Sequence, residues 1–313
     1  MQKPDLLLMA PNLLNHLDAL TARCTVHRYD EAADRDALIE QVGEDIEIVA
    51  TNGHIGCAAE LMQRLPALKM IGCYGVGYDA IDIPAARARG IAVTNTPDVL
   101  NDAVAELAMG LMVSLARRIP QGDRFVRDGH WLEGEFPLTS ELTGRTAGIV
   151  GLGRIGKELA NRLQAMKMRV VYHGRQEQPN LPFTYYADLE AMAADVDWLV
   201  VCLPGGQGTD RIISSAVLKA LGPSGCLVNV ARGSVVDEAA LCEAIRDGGI
   251  GGAALDVFAA EPQVPDILMA TDNVVLSPHA ASGTAKTRND MGALVIRNIE
   301  AHLDGLPLLT RVA

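Results

Sequence analysis

The chain has 313 residues, 49% of them hydrophobic, and its 27 Lys and Arg against 39 Asp and Glu give a formal net charge of −12. This length predicts about two domains, and the apolar content is sufficient for two buried cores. The acidic balance excludes a general nucleic-acid binder, which needs a basic surface, and argues against binding to anionic membranes. We therefore expect neither a nucleic-acid nor a membrane partner.

The six cysteines indicate a reducing compartment. None of them forms a C-x-x-C pair, so neither a zinc site nor a redox motif has support, and we expect no metal. Most lie in apolar runs, where a buried cysteine behaves as a small hydrophobe. We find no secretory signal and no uncharged stretch of about 18 residues that would span a bilayer. A cytoplasmic location is the resulting expectation.

The first third of the chain contains short apolar runs that predict buried strands. In chain order these are Asp5–Met9, Ile46–Thr51, Lys69–Cys73 and Ile91–Thr94. Such runs are typical of parallel strands covered on both faces by helices. A long helix is predicted next over Asn101–Arg118, where apolar side chains recur at helical spacing. Asn101 or Asp102 can cap this helix, and Pro120 helps to end it.

A second series of strands follows an irregular stretch, Asp123–Arg145. The predicted strands are Thr146–Val150, Arg169–Tyr172, Trp198–Leu203, Cys226–Val230, Gly252–Val257 and Val274–Leu276. A final helix is predicted over Thr287–Leu303, which carries one apolar stripe. The alternation of strands and helices implies right-handed crossovers and α/β sheets.

The strongest local motif is G-x-G-x-x-G, formed by Gly151, Gly153 and Gly156. An apolar strand precedes it and a helical pattern over Lys157–Met166 follows, which is the context that dinucleotide binding needs. Gly151 permits the tight turn, Gly153 lets the backbone approach a pyrophosphate, and Gly156 lets helix and strand pack closely. The helix N-terminus would supply N–H groups for the phosphates. The alternative is a purely structural glycine-rich turn.

The next predicted strand ends in His173, Gly174 and Arg175. An NAD site usually carries Asp or Glu at this point to bind the ribose 2′-hydroxyl, but no acid occurs here before Glu177. Arg175 could hold a 2′-phosphate in a bidentate fork. The sequence therefore favours NADP over NAD, unless Arg175 is a solvated loop residue.

Four charged residues lie at or beyond the ends of later apolar strands: Arg232, Asp256, Glu261 and His279. Ligands in open α/β sheets bind at that edge, so these side chains can converge on one crevice. Taken singly, each has a structural reading: Arg232 could pair with a surface carboxylate, Glu261 could cap a helix, and His279 could be a hydrogen-bonded structural histidine.

Taken together, these segments resemble the D-isomer-specific 2-hydroxyacid dehydrogenase family over essentially the whole chain. The motifs occur in the family's order: Gly75-Val-Gly-Tyr-Asp79, Thr94-Asn-Thr-Pro-Asp-Val99, the glycine fingerprint, Ala231-Arg-Gly233, Glu261-Pro262 and Pro278-His279. The His-Gly-Arg ending is most similar to NADPH-dependent glyoxylate/hydroxypyruvate reductases. The resemblance implies an α/β fold with two Rossmann-like, doubly wound parallel-sheet domains and an active site in the interdomain cleft.

The resemblance also implies an interleaved domain order. Residues 1–98 plus 285–313 would form a flavodoxin-like substrate-binding domain, and residues 99–284 the dinucleotide-binding Rossmann domain. The family is typically dimeric through the nucleotide domain, so we expect a homodimer. In related reductases a tryptophan in the region of Trp131 reaches the partner's substrate site; an interface anchor is the other reading of this residue.

The family's catalytic roles fall on three residues. His279 would be the acid–base residue that protonates the carbonyl oxygen as hydride arrives. Glu261 would hydrogen-bond the other imidazole nitrogen and orient the ring. Arg232 would bind the 2-oxo acid and polarise its carbonyl. His279 and Arg232 therefore also count as substrate contacts.

The remaining assignments concern binding. Backbone N–H groups of Val76 and Gly77 would receive the substrate carboxylate, and Asn52 would line the substrate side. Asp256 would hold the nicotinamide carboxamide. The full set expected around NADP(H) is Gly151, Leu152, Gly153, Arg154, Ile155, Gly156, His173, Gly174, Arg175, Pro204, Thr209, Val230, Ala231, Asp256 and Ala281.

The leading hypothesis is an NADPH-dependent reductase of small 2-oxo acids, converting glyoxylate to glycolate and hydroxypyruvate to D-glycerate. Glu261 disfavours the family's formate dehydrogenases, which place Gln there. A reductase of broader or bulkier 2-oxo acids is the enzymatic alternative. A nucleotide-sensing, corepressor-like binding protein is the non-catalytic alternative, because such relatives retain the same three catalytic residues.

Overall fold

The computed structural model describes residues 3–313, which divide into two compact units. The first, here called the N-terminal unit, contains the described residues up to Leu100 together with Thr284–Ala313. The second, the central unit, is Asn101–Gly283. The chain therefore leaves the N-terminal unit once and returns to it for its final segment.

The N-terminal unit is built on a five-stranded sheet. Its strands are β1 (Asp5–Leu8), β2 (Thr25–Arg28), β3 (Ile46–Asn52), β4 (Met70–Tyr74) and β5 (Ala92–Thr94). They pair in the order β2-β1-β3-β4-β5, and every pairing is parallel. The helices between them are α1 (Leu17–Arg23), α2 (Arg35–Val42), α3 (Ala59–Gln63) and α4 (Ile83–Ala88). This is the flavodoxin-like order of doubly wound folds.

The central unit opens with two helices, α5 (Asn101–Arg117) and α6 (Ile119–Arg127). Seven strands follow: β6 (Thr146–Val150), β7 (Arg169–His173), β8 (Thr184–Tyr186), β9 (Trp198–Val201), β10 (Cys226–Asn229), β11 (Gly252–Leu255) and β12 (Val274–Leu276). Their helices are α7 (Arg154–Ala165), α8 (Leu189–Ala194), α9 (Ser215–Leu221), α10 (Glu238–Arg246) and α11 (Asp266–Ala270). The strand order β12-β11-β10-β9-β6-β7-β8 is the Rossmann arrangement with one more strand.

One further helix, α12 (Ala285–Leu303), completes the N-terminal unit. Thr284 caps it by accepting a hydrogen bond from the N–H of Thr287. The helix packs on β4, where Gly72 leaves room: a Cβ built on Gly72 would lie 3.2 Å from Cγ1 of Val295. A helix from the end of the chain thus covers a strand from its beginning.

The strands that were predicted from apolar runs are buried in the structure. Leu6, Leu7 and Leu8 of β1 are fully buried, and Trp198–Val201 of β9 is buried throughout. Helices cover both faces of each sheet, so apolar side chains are favoured on both. Sequence reasoning missed β2 and β8, which lie at sheet edges and have exposed or half-buried residues in place of an apolar run.

The stretch Asp123–Arg145, expected to be irregular, begins inside α6. Arg118 has a φ of +50°, which ends α5, and Pro120 then lies in the first turn of α6. Proline is well accommodated there because the first N–H groups of a helix have no partner within the helix. Pro120, which was predicted to end α5, therefore lies in the first turn of the next helix, and α5 ends before it at Arg117.

Both sheets have a point where the strand order reverses, and ligands in open α/β sheets bind outside the strand ends at such points. In the N-terminal unit this point lies between β1 and β3, where Nδ2 of Asn52 donates to Oδ1 of Asn12 at 2.8 Å. In the central unit it lies between β6 and β9, which are followed by Gly151 and Leu203. The loops that follow these strands are therefore the candidate ligand-binding loops.

The cysteines are all free, and several are packed as small apolar side chains. Burial raises the pKa of Cys57 and Cys202 to about 12, and that of Cys24 and Cys226 to about 11. These four thiols therefore stay protonated at neutral pH. Within residues 3–313, no helix has both the length and the apolar character needed to cross a membrane.

Candidate active site

A histidine–glutamate pair is formed by the segments that follow the last two strands of the central unit, with Glu261 after β11 and His279 after β12. Nδ1 of His279 is 2.8 Å from Oε2 of Glu261, and the two side chains are only 28% and 23% exposed. The other carboxylate oxygen of Glu261 accepts the N–H of Phe258 at 3.0 Å. Glu261 is thus fixed by its own turn and in turn fixes the imidazole through one nitrogen.

Asp256 organises the turn that carries His279. Its side chain is buried, and Oδ1 accepts hydrogen bonds from Oγ of Ser277 at 2.5 Å and from the N–H of Ala280 at 2.8 Å. Oδ2 accepts the N–H of Ala281 at 3.0 Å, and the Asp256 carbonyl accepts the N–H of His279 at 2.8 Å. These bonds hold His279 at a φ of +50°, a backbone conformation unusual for a residue with a side chain.

Arg232 lies in the loop after β10, and the side chain of Asn229 holds this loop through hydrogen bonds to its backbone. The buried Asn229 side chain donates from Nδ2 to the Arg232 carbonyl at 2.9 Å and accepts the N–H of Ala231 at 3.0 Å. The guanidinium donates from Nη1 to the Ala231 carbonyl at 2.7 Å. Hydrogen bonds within its own loop thus help to position Arg232.

Gly233 brings the Arg232 loop against the Glu261 turn. A Cβ built on Gly233 would lie 1.9 Å from the carbonyl oxygen of Phe258 and 2.4 Å from the nitrogen of Ala259. The same turn is held from the other side by Glu238, whose Oε2 accepts the N–H of Ala259 at 2.9 Å. Backbone contact, which only glycine permits here, therefore sets the spacing between the Arg232 loop and the Glu261–His279 pair.

The glycine fingerprint has the geometry expected of a phosphate-binding turn. Gly151 has a φ of +97°, and its Cβ would lie 2.8 Å from the nitrogen of Leu203. A Cβ on Gly156 would lie 2.4 Å from the Gly151 carbonyl oxygen, so both residues are required by packing. Gly153 instead faces open space, with nothing within 4 Å of a Cβ, at the start of the 12-residue α7. The turn therefore fits a pyrophosphate over Gly153.

The loop after β7 carries the residues expected at the ribose. Nδ1 of His173 is 2.9 Å from the Tyr186 carbonyl oxygen, and the Gly174 carbonyl accepts the Tyr185 hydroxyl at 3.2 Å. Arg175 is exposed and has no ion pair among residues 3–313. Gln178 ties this loop to the fingerprint, since its Nε2 donates to the Leu152 carbonyl at 2.8 Å.

The other residues expected around the cofactor are spread along the same strand ends. Leu152, Ala231 and Ala281 are buried, whereas Arg154 is exposed and Ile155 is half-buried. The hydroxyl of Thr209 donates to the Pro204 carbonyl at 2.8 Å, and the N–H of Val230 donates to the Val201 carbonyl at 3.3 Å. The structure thus gathers these predicted residues at the carboxyl edge of one sheet.

In the N-terminal unit, the loop Gly75–Gly77 follows β4 and Asn52 ends β3. The Asn52 side chain is used by its own turn: Oδ1 accepts the N–H groups of His54 and Ile55 at 3.0 and 2.9 Å. Together with the bond to Asn12, this gives Asn52 a structural role in shaping the loop. Its assignment as a substrate contact stays a prediction.

Four residues that hold these loops were missed from the sequence: Gln178, Asn229, Glu238 and Ser277. Asn229 and Ser277 lie within three residues of Arg232 and His279, so their closeness to a predicted strand end was a usable signal. Glu238 and Gln178 form hydrogen bonds with residues more than 20 positions away in the sequence. Only the folded structure shows which N–H or carbonyl group is the partner.

A Rossmann sheet with a phosphate-binding turn and an adjacent histidine–glutamate pair defines a dinucleotide-dependent oxidoreductase. The profile of the "D-isomer specific 2-hydroxyacid dehydrogenase, NAD binding domain" family matches residues 109–281. The chain belongs to the D-isomer-specific 2-hydroxyacid dehydrogenase family, as its sequence motifs predicted.

The chain is similar to named relatives over its whole length. It is 44% identical to the hydroxyphenylpyruvate reductase of Plectranthus scutellarioides over 313 residues, which cover 100% of both chains. It is 42% identical to a glyoxylate/hydroxypyruvate reductase of Arabidopsis thaliana, again with 100% of both chains covered.

A solved structure is similarly close. The NADPH-dependent glyoxylate/hydroxypyruvate reductase of Sinorhizobium meliloti, determined with NADP and malonate, matches with a TM-score of 0.93 at 43% identity. The match covers 100% of this chain and 97% of that one. The predicted fold of two parallel-sheet α/β domains is thereby confirmed.

Proposed function

We propose that this oxidoreductase reduces small 2-oxo acids with NADPH, converting glyoxylate to glycolate and hydroxypyruvate to D-glycerate. The observation that carries the proposal is the Glu261–His279 pair, whose spacing from the Arg232 loop is set by the backbone contact at Gly233. Reduction of a 2-oxo acid requires a proton donor and is assisted by a guanidinium, because charge develops on the carbonyl oxygen as hydride reaches the carbon.

The chain's own residues then have distinct tasks. His279, held through Nδ1, would donate a proton from Nε2 to the carbonyl oxygen. Glu261 would keep the ring oriented and stabilise its positive charge. Arg232 would bind the substrate and polarise its carbonyl, and the N–H groups of Val76 and Gly77 would receive the carboxylate.

A nicotinamide dinucleotide, when bound, supplies the hydride. The open face of Gly153 at the start of α7 supports pyrophosphate binding there. The Asp256 carboxylate would accept a further hydrogen bond from the nicotinamide carboxamide. It can do so while it keeps the hydrogen bonds described above, because each carboxylate oxygen can accept more than one. We propose that the other assigned residues along these strand ends line the same dinucleotide.

The test of this function is a panel of 2-oxo acids assayed with NADPH and NADH in parallel. We expect the highest kcat/KM with glyoxylate or hydroxypyruvate and NADPH. The second candidate, a reductase of bulkier 2-oxo acids, is favoured by relatives named hydroxyphenylpyruvate reductase and 2-ketogluconate reductase. The panel therefore includes hydroxyphenylpyruvate and 2-ketogluconate. Failure of every 2-oxo acid to oxidise either NADPH or NADH would overturn both.

The preference for NADPH is expected to depend on Arg175. We expect Arg175→Asp to lower the ratio of kcat/KM with NADPH to that with NADH about 100-fold, because a carboxylate repels the 2′-phosphate that the guanidinium would bind. Arg169→Asp is the matched control, since it makes the same charge change at the opposite end of β7. An unchanged ratio in the Arg175 variant would remove this residue from cofactor selection.

We also propose a homodimer formed through the central unit. Three large apolar side chains after α6 are exposed: Trp131 at 68%, Leu132 at 94% and Leu138 at 99%. Several large apolar side chains exposed within one short segment are typical of interaction surfaces. The free thiols support the further proposal of a reducing, cytoplasmic location.

The dimer is testable by light scattering coupled to size exclusion. We expect the double variant Leu132→Asp, Leu138→Asp to elute as a monomer, since two carboxylates would be buried in the interface. Leu309→Asp, which changes an exposed leucine of the N-terminal unit, should remain dimeric. A monomeric wild-type protein would contradict the proposal.

A further inference from the structure

The loop Gly75–Gly77 is fastened through all three of its carbonyl groups. The Gly75 carbonyl accepts the N–H of Thr96 at 2.9 Å, and the Val76 carbonyl accepts Nδ2 of Asn95 at 2.9 Å. The Gly77 carbonyl accepts the thiol of Cys73 at 3.5 Å. With the carbonyls turned toward these partners, the N–H groups of Val76 and Gly77 have no acceptor among residues 3–313.

Asn95 is the only one of these partners that uses a side-chain amide, and it is nearly fully buried at 7% exposure. It follows β5 and is itself clamped: its carbonyl accepts the Thr310 hydroxyl at 2.6 Å, and its N–H donates to the Thr310 carbonyl at 3.3 Å. Its backbone therefore has little freedom to move away from Val76.

Thr310, which holds Asn95, is itself held by Asn298 of α12, whose side chain is fully buried. Nδ2 of Asn298 donates to Oγ1 of Thr310 at 2.9 Å and to the Leu294 carbonyl at the same distance. Its Oδ1 accepts the N–H groups of Leu309 and Thr310 at 3.0 and 3.2 Å. A polar series, Asn298–Thr310–Asn95, in which the two asparagines are buried and Thr310 is half-buried, thus ends on the Val76 carbonyl. Buried polar groups whose bonds are all made hold one arrangement, whereas loss of one partner leaves an unpaired group at high cost.

We infer that Asn95 is a positioning residue for substrate binding. By holding the Val76 carbonyl it directs the adjacent N–H groups of Val76 and Gly77 toward the substrate carboxylate, and the series from Asn298 keeps Asn95 in place. The inference rests on the function proposed above, because it takes these two N–H groups as the carboxylate contacts. It assigns to Asn95 an effect on substrate affinity through the loop, without contact to the substrate.

The test compares Asn95→Ala with the wild-type holoenzyme. We expect the KM for glyoxylate to rise about 10- to 100-fold, the Kd for NADPH to stay unchanged and kcat to fall much less. Affinity of the NADPH complex for oxalate, a carboxylate probe that is not turned over, should fall by a similar factor in a calorimetric titration. Thr310→Val should raise the KM for glyoxylate and weaken oxalate binding by smaller factors. Thr310→Ser keeps the hydroxyl and should show wild-type values of both quantities.

Val49→Ala is the control for stability alone. Val49 is fully buried in the core of the same sheet, so this variant should lower Tm without changing the KM for glyoxylate. If Asn95→Ala leaves the KM and the oxalate affinity at wild-type values, or if Val49→Ala changes them equally, the inference fails while the proposed function stands.

The failure of the proposed function has a different signature. If the wild type reduces no 2-oxo acid but binds oxalate, the proposed function falls, and weaker oxalate binding by Asn95→Ala still supports the role of Asn95. If the wild type neither turns over a 2-oxo acid nor binds oxalate, both are overturned. Should Asn95→Ala fail to fold, Thr310→Val and Thr310→Ser decide the inference by the same two measurements.

Discussion

Replacing His279 with alanine is expected to lower kcat for glyoxylate reduction about 1,000-fold while the Kd for NADPH stays nearly unchanged. In the proposed reaction the imidazole donates a proton to the carbonyl oxygen, and a positioned acid contributes roughly 10²- to 10⁴-fold to such a step. In the same proposal, cofactor affinity depends instead on the fingerprint around Gly153. Stopped-flow measurement of NADPH oxidation, with a fluorescence titration of NADPH, separates the two quantities.

Two further variants test whether the loss of activity is specific to the His279–Glu261 pair. Glu261→Gln keeps an oxygen that can accept from Nδ1 but loses the negative charge beside the ring, so we expect a smaller loss in kcat of about 10- to 100-fold. His302→Gln changes a histidine in the last turn of α12 and should leave turnover at the wild-type value. Wild-type turnover by His279→Ala would remove this histidine from the mechanism.

The second large effect is expected from Gly233→Ala. The new methyl group would lie 1.9 Å from the Phe258 carbonyl oxygen, so the Arg232 loop or the turn that carries Glu261 must shift. Both are backbone segments, and neither can yield by rotating a side chain. A displacement of about 1 Å at catalytic groups can cost 10²-fold in rate, so we expect kcat/KM for glyoxylate to fall at least about 100-fold.

Gly249→Ala is the matched control in the same unit. A Cβ on Gly249 would make only ordinary contacts, the nearest at 3.5 Å from Cα of Ala244, so this variant should behave as wild type. Steady-state kinetics and thermal unfolding of the two variants provide the comparison. Near wild-type kcat/KM in Gly233→Ala would mean that the spacing of the two loops does not limit catalysis.

The fold was largely predictable because burial on both sheet faces leaves a plain signal. Trp198–Val201 and Thr146–Val150 lie among helices on both sides, so their sequences are apolar runs. Edge strands carry no such signal: Thr184–Tyr186 is partly exposed, and only pairing with β7 makes it a strand. The sequence does not predict the second helix at Ile119, because a proline after a helical run indicates the end of a helix.

The chemistry-bearing side chains could be predicted to the extent that they lie next to strand ends. Arg232, Glu261 and His279 follow three successive strands, and the fold brings the loops of parallel strands to one edge. Glu238 begins α10 and is not next to a strand end, and Asn95, although it directly follows β5, carries no signal in the sequence that distinguishes a positioning role. Their importance depends on which backbone group each one meets, and that is fixed by loop packing, which has no period in the sequence.

The return of α12 to the N-terminal unit has a consequence for synthesis on the ribosome. The first sheet is translated early, but the helix that packs on β4 and the buried Asn298 come from the last part of the chain. The central unit is contiguous and can fold as soon as it has emerged, since domains generally fold as units. The unit whose sheet is made first is therefore completed only after the central unit has been made, and its apolar face over β4 stays uncovered until α12 has emerged.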